Sequence, residues 1–381
     1  MRSVSQVFAV VLCAFTTLGY DGFVVRSSSA NLDLLRAIAV LLVLGQHLLR
    51  RASVEHLLWI PTTSLGLFGV LLFFVHTCLV LMYSMERSGL NGLSLMKNFH
   101  IRRIFRIYPL SILTVLAALA LGLASNLNGV AGLSRATAFP GKREIAANLL
   151  LVQNLASTQS IVNVLWSLPF ELQMYLLLPF LFLGVRNRRR FALLLALWAI
   201  GCALGTLQPR IASLHYFSLC QYLPNFLPGV IAYVLPHRPR LRALFWPLFV
   251  IALVGAYTLR PAVGTGWLLC LILGLSLPFF AEVQNPGLRW ISHHIATYSY
   301  GIYLSHQFCI WVALGVLGTY SAWIRVPVLV ALLISLPIVL YHAVEKPMIK
   351  LGVRLAKPNA SRDKLPHGQT TLVAEPAPQG Y

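Results

Sequence analysis

Acidic residues are scarce in this chain, ten among 381, and one of them, Glu171, lies inside the apolar run from Val164 to Leu183. An ionised carboxylate in hydrocarbon costs several kcal/mol, roughly 2.5–3.5 at a helix centre on insertion scales, and is kept where it faces a cavity or a partner. Glu171 is therefore a candidate catalytic group, against the plainer role of a residue bonded to a neighbouring helix. Tyr175 follows four residues later on the same helical face, within reach of a hydrogen bond to it. A second constellation lies upstream, at Asp33, Arg36 and His47. The spacing of Arg36 and His47 is close to three helical turns, so they share a face to within about 20° while standing roughly 16 Å apart along the axis. Asp33 sits beside Arg36, the spacing of a structural ion pair at a helix end. His47 is the kind of group that moves protons near neutral pH. Arg103 and Arg106 would project together from a helix. Paired guanidinium groups bind phosphates with directed donors, although arginines beside an apolar run also set topology. His76 and His306 lie in apolar segments as well. His76 fits substrate selection or packing better than catalysis, and His306 suits an interhelical hydrogen bond as well as a cavity wall.

Such groups need a scaffold, and composition defines it. Hydrophobic residues make up 58% of the chain and charged residues 10%, against roughly 25% charged in a soluble domain. The fold class is an all-α, polytopic transmembrane bundle. Apolar windows long enough to span about 30 Å of hydrocarbon fall near 33–51, 62–85, 107–125, 163–185, 191–208, 217–236, 244–260, 264–282, 296–319 and 322–345, about ten helices. Between them, residues 126–162 form a mixed connection whose apolar patch, Asn148 to Leu155, is too short to span and reads as re-entrant or interfacial. Residues 31–350 form the transmembrane domain. Residues 1–30 are an apolar extension of uncertain role, and 351–381 a flexible tail rich in Pro, Ala and polar residues. Glu345-Lys346-Pro347 is expected to end the last helix. Trp59, Trp246, Trp267, Trp290 and Trp323 lie mostly near predicted helix ends, as interfacial anchors do.

The formal charge of +20 would point to nucleic acid in a soluble protein. Here the basic residues lie between apolar runs, so they report topology, and no nucleic-acid partner is expected. One set of alternate connections holds Arg87, Lys97, Arg102, Arg103, Arg106, Arg186, Arg188, Arg189, Arg190, Arg238, Arg240, Arg242, Arg289, Lys346, Lys350, Arg354 and Lys357. The opposite set holds only Arg50, Arg51, Arg135, Lys142, Arg143, Arg210, Arg260 and Arg325. The richer set is cytoplasmic by the positive-inside rule, which puts both ends of the body inside a bacterial inner membrane. The six cysteines are scattered in apolar stretches with no CxxC spacing, so neither a disulfide nor a metal is assigned.

Several blocks together resemble the acyltransferase 3 family of membrane proteins. They are Leu32 to Val40 with His47, Gly69 to Val75, Arg102 to Pro109, Trp166 to Tyr175, Tyr298 to His306, and Tyr341 to Pro347. They occur in the family order and cover roughly residues 31–350. The resemblance implies a ten-helix O-acyltransferase that moves an acyl group, commonly acetyl, from acetyl-CoA to surface carbohydrate. The lipid bilayer, acyl-CoA and a carbohydrate acceptor are then its partners, with acetyl-CoA as donor substrate and no permanently bound cofactor. It further implies that His47 is catalytic, that Arg36, Arg103 and Arg106 face the donor, and that Glu171 belongs to a family motif. Asp33, Tyr108, Tyr175, Tyr300 and His306 are supporting residues. One departure concerns the second helix, where His76-Thr77-Cys78 stands in place of a common Leu-Ser-Gly. The expected mechanism has the arginines holding CoA phosphates at the cytoplasmic mouth, His47 acting as general base or acyl carrier, and Glu171 orienting its imidazole. The rival reading is a proton-coupled exporter of a polar solute, built on the same buried Glu, His and Arg.

Overall fold

The computed structural model describes residues 29–57, 59–125, 133–135, 139–185, 190–211 and 217–356. The apolar extension before Ser29, the tail beyond Ala356, and Arg186, Arg188 and Arg189 of the topology count lie outside the described residues. Among those described, the chain is mainly helical, with two short antiparallel hairpins, His56–Leu57 with Ile60–Pro61 and Leu123–Ser125 with Leu133–Arg135.

Helices occupy all ten predicted windows: α1 (Ala30–Arg51), α2 (Thr62–Ser88), α3 (Gly92–Ala120), then, after the short α4 (Lys142–Leu149), α5 (Leu168–Val185), α6 (Phe191–Leu207), α7 (Leu219–Val234), α8 (Phe245–Leu259), α9 (Val263–Ser276), α10 (Pro286–Trp311) and α11 (Ala322–Leu340). A terminal α12 (Lys346–Leu355) follows. Six helical stretches among the described residues are long and apolar enough to cross a membrane: Ala30–Arg51, Thr62–Ser88, Gly92–Ala120, Asn163–Val185, Phe191–Arg210 and Ala322–Leu355. Shorter apolar helices stand at Phe245–Leu259 and Val263–Phe279.

Three boundaries differ from the sequence reading, each for a physical reason. Helix α3 starts at Gly92, some four turns before the expected 107, because Lys97, Arg102, Arg103 and Arg106 dilute its hydropathy without breaking the helix. Helix α10 starts at Pro286 instead of 296, with the Asn285 side chain accepting the Leu288 N–H and proline in the first turn, where its missing donor costs nothing. The last helix does not end before Pro347. It passes through a π-helical turn at Tyr341–Glu345 and resumes as α12 with Pro347 in its first turn. The patch Asn148 to Leu155 forms no helix of its own. It closes α4 and continues as turns around the Asn148 amide, which donates to Glu144 O and Gln159 O and accepts the Ile161 N–H.

Helix α1 is central. Its N-terminus is capped by Ser29, with Asp33 in the first turn and Arg50 and Arg51 in the last, the charge order the helix dipole favours. Polar contacts fix that end against the loop before α10: Ser29 Oγ donates to Glu282 Oε1 at 2.8 Å and the Asn31 N–H to Oε2 at 3.0 Å. The buried Trp246 indole donates to Asn31 O at 3.1 Å. Trp267 is also buried and donates to Gln221 O. These two tryptophans are therefore packing residues and not interfacial anchors, whereas Trp59, Trp290 and Trp323 are exposed. From its fixed end α1 packs on α2 and α10, α2 packs on α7, and α7 packs on α6 and α9. Helix α3 joins α12, α5 and α10.

Candidate functional site

The inner faces of α1, α2, α3, α5 and α10 line a half-open cavity. Helical periodicity builds its walls. Along α2 the lining residues are Val70, Phe73, Phe74, His76, Thr77, Val80 and Leu81, and α3 supplies Arg103, Arg106 and Ile107 one turn apart. Arg36 enters from α1, Glu171 and Tyr175 from α5, and Ser299, Tyr300 and Tyr303 from α10.

Three guanidinium groups and two carboxylates meet here. Tyr175 donates its hydroxyl proton to Glu171 Oε1, the contact expected from their spacing. Arg36, Arg103 and Arg106 all act electrostatically on that carboxylate. Arg36 does not pair with Asp33. Its Nε donates to Ser299 Oγ at 2.6 Å, while Asp33 binds the ring of His293 at 2.9 Å. The expectation of a local ion pair fails because α10 offers each group a partner some 260 residues away in sequence. Arg106 faces Glu345 at 3.3 Å and lies 5.8 Å from the centroid of the Tyr300 ring. Tyr300 donates to Ile107 O at 2.7 Å, tying α10 to α3. Tyr108 points away, donating to Leu150 O.

His47 stands outside this lining, paired with His306. Their ring centroids are 4.9 Å apart, and both side chains are buried. Geometry fixes the tautomers. A carbonyl can only accept, so His47 Nδ1, 2.8 Å from Val43 O, carries its proton, and so does His306 Nδ1, 2.9 Å from Ile302 O. His306 Nε2 lies 3.4 Å from His47 Nδ1 and must meet that N–H with a lone pair. His47 Nε2 is then left with its own lone pair free, and it has no hydrogen-bond partner. Glu171 does not orient this imidazole; the Val43 carbonyl and His306 do.

Tyr303 belongs to the cavity wall and neighbours His306. Its ring lies 6.4 Å from that of His306 and 6.2 Å from that of Phe73, and its hydroxyl is pinned. The hydroxyl donates to Val164 O at 2.7 Å and accepts from Ser167 Oγ at 2.7 Å. Glu345, Tyr303, Ser167 and Ser299 lie within the family-like blocks, but the sequence reading does not assign them to the site. For Glu345 a signal existed: it is one of ten acidic residues, set at the end of an apolar run, the same argument that singled out Glu171. The three hydroxyl residues carry no such signal, because a buried Ser or Tyr costs too little to stand out.

Among the described residues no group of His, Cys, Asp and Glu is arranged to hold a metal ion. A family model described as an acyltransferase domain matches residues 29–342, most of the chain. No curated protein and no solved structure matches it.

Proposed function

The chain belongs to the acyltransferase 3 family, and from that premise we propose that it moves an acyl group, acetyl in the simplest case, from acyl-CoA at the cytoplasmic face of a bacterial inner membrane to a hydroxyl of a cell-surface or exported glycan. The observation that carries the donor assignment is the cavity itself. Arg36, Arg103 and Arg106 converge there from two helices, against only two carboxylates, Glu171 and Glu345. Cations brought together in a medium of low dielectric repel one another, and such a cluster is held for an anion. The phosphates of CoA match it, because guanidinium groups offer planar, paired donors.

The transfer step assigns His47 as general base. The acceptor hydroxyl gives its proton to the free Nε2 lone pair as its oxygen attacks the thioester carbonyl carbon. The C–O bond forms, the C–S bond breaks, and the CoA sulfur leaves and recovers the proton from the imidazolium. His306 holds the ring in the required tautomer, the task a carboxylate performs in other catalytic groups. His47 Nε2 is sealed from the cavity, so the packing around it must open during turnover. Glu171 then serves the arginine cluster and not the imidazole.

The test is release of free CoA and transfer of radiolabelled acetyl by the purified, lipid-reconstituted protein, given acetyl-CoA and an extract of surface glycans. His47→Ala should lower kcat by about 10²–10⁴-fold with the protein still folded. Wild-type turnover in that variant removes the base assignment. Arg103→Ala and Arg106→Ala should raise KM for acetyl-CoA more than they lower kcat. Solute uptake into vesicles without CoA release would favour the exporter reading instead.

A further inference from the structure

We propose that His76 is the contact that positions the neutral arm of the acyl donor, pairing with one of its amide carbonyls; this deepens the reading above and rests on it. The cavity lining is mixed in character. Helices α1, α3 and α5 contribute Arg36, Arg103, Arg106 and Glu171 to its lining, and α2 contributes Val70, Phe73, Phe74, Val80 and Leu81, with His76 and Thr77 as its polar residues. A ligand that matches both sets has an anionic end and a largely apolar, uncharged arm with isolated hydrogen-bonding groups. The His76 part of that match is specific. The residue is only 5% exposed, yet no described residue hydrogen-bonds to its ring. Its nitrogens are also absent from the sealed, partnerless atoms of the interior, so they open onto the cavity. A buried polar group left unpaired is costly. A bound carbonyl or amide removes that cost, since a neutral imidazole offers one N–H and one lone pair. Packing fixes the backbone of this turn of α2: Cys78 lies against Gly229 of α7, where added bulk would collide with Val75 O.

The experiment compares two probes by equilibrium dialysis on the purified protein. One is CoA; the other is the bisphosphorylated adenosine of CoA without its pantetheine arm. His76→Leu, close in volume, should weaken CoA binding about tenfold and leave the armless probe unchanged. His76→Gln should restore part of the CoA affinity, and Arg103→Ala should weaken both probes. If His76→Leu does not fold, His76→Met, apolar and unbranched, replaces it. Equal loss of both probes in the apolar variant, or no loss of either, overturns the proposal. Equal affinity of the wild type for the two probes overturns it alone and leaves the donor assignment standing. If the wild type binds neither probe, the donor assignment fails and this contact fails with it.

Discussion

Arg106 and Glu345 form the buried ion pair of the cavity wall, 3.3 Å apart, with the carboxylate fully shielded and the guanidinium largely so. Neither carboxylate oxygen has a well-aligned hydrogen bond, and the charges of Arg106 and Arg36 both act on Glu345. Removing one member of such a pair leaves the other charge stranded and costs on the order of 3–5 kcal/mol, whereas removing both can be close to neutral. Glu345→Gln and Arg106→Gln should each lower the melting temperature in detergent, followed by size exclusion after heating. The double variant should melt above the value their separate losses predict. Additive losses would mean that the two side chains do not act as a pair. The residues legible in the sequence were those whose signal is local: Glu171 with Tyr175 one turn on, and Arg103 with Arg106. The pairings of Asp33 with His293, Arg36 with Ser299 and Arg106 with Glu345 were not legible, since each joins residues more than 200 apart and no periodicity encodes them.

Close helix approach positions those side chains, and glycine permits it. A Cβ on Gly229 of α7 would lie 2.3 Å from Val75 O and 2.8 Å from Cys78 Cβ of α2. One on Gly69 of α2 would lie 2.6 Å from Ala39 O of α1, and one on Gly274 of α9 would lie 2.4 Å from Pro228 O of α7. These contacts are with backbone, which cannot turn aside as a side chain can. Gly229→Ala should therefore push α2 off α7 and destabilise the protein by about 1–3 kcal/mol or more, the scale of overpacking. Gly255→Ala in α8, where nothing lies within 4 Å, should be neutral or gain up to about 1 kcal/mol from helix propensity. Equal melting temperatures for the two variants would show that the α2–α7 contact tolerates separation. The existence of these helices was legible because twenty apolar residues have few other fates. Their ends were not. A start such as Gly92 is polar for several turns, and the continuation through Pro347 depends on a π-turn that composition does not announce.

At the scale of the molecule, the charge asymmetry and the ordering of the helices meet in one expectation about sidedness. If the arginine-rich connections are cytoplasmic, α1 runs outward from Ala30 and α2 runs back, so Ala52 lies outside while Ser94, in the first turn of α3, lies inside. Both positions are exposed in the fold, which makes either one reachable by reagent from its own side. Ala52→Cys should react with a membrane-impermeant maleimide in sealed right-side-out vesicles. Ser94→Cys should react only after permeabilisation, with the unsubstituted protein setting the background from its own cysteines. The reverse pattern would invert the bundle. That outcome would reach the chemistry too, because Arg36, Arg103 and Arg106 would then sit closer to the outer solution and acyl-CoA could not enter from the side where it is made. Sidedness is thus the condition on which a cytoplasmic donor is compatible with this fold. It rests on loop charge and not on any contact inside the bundle, so labelling can refute it independently of every side-chain substitution above.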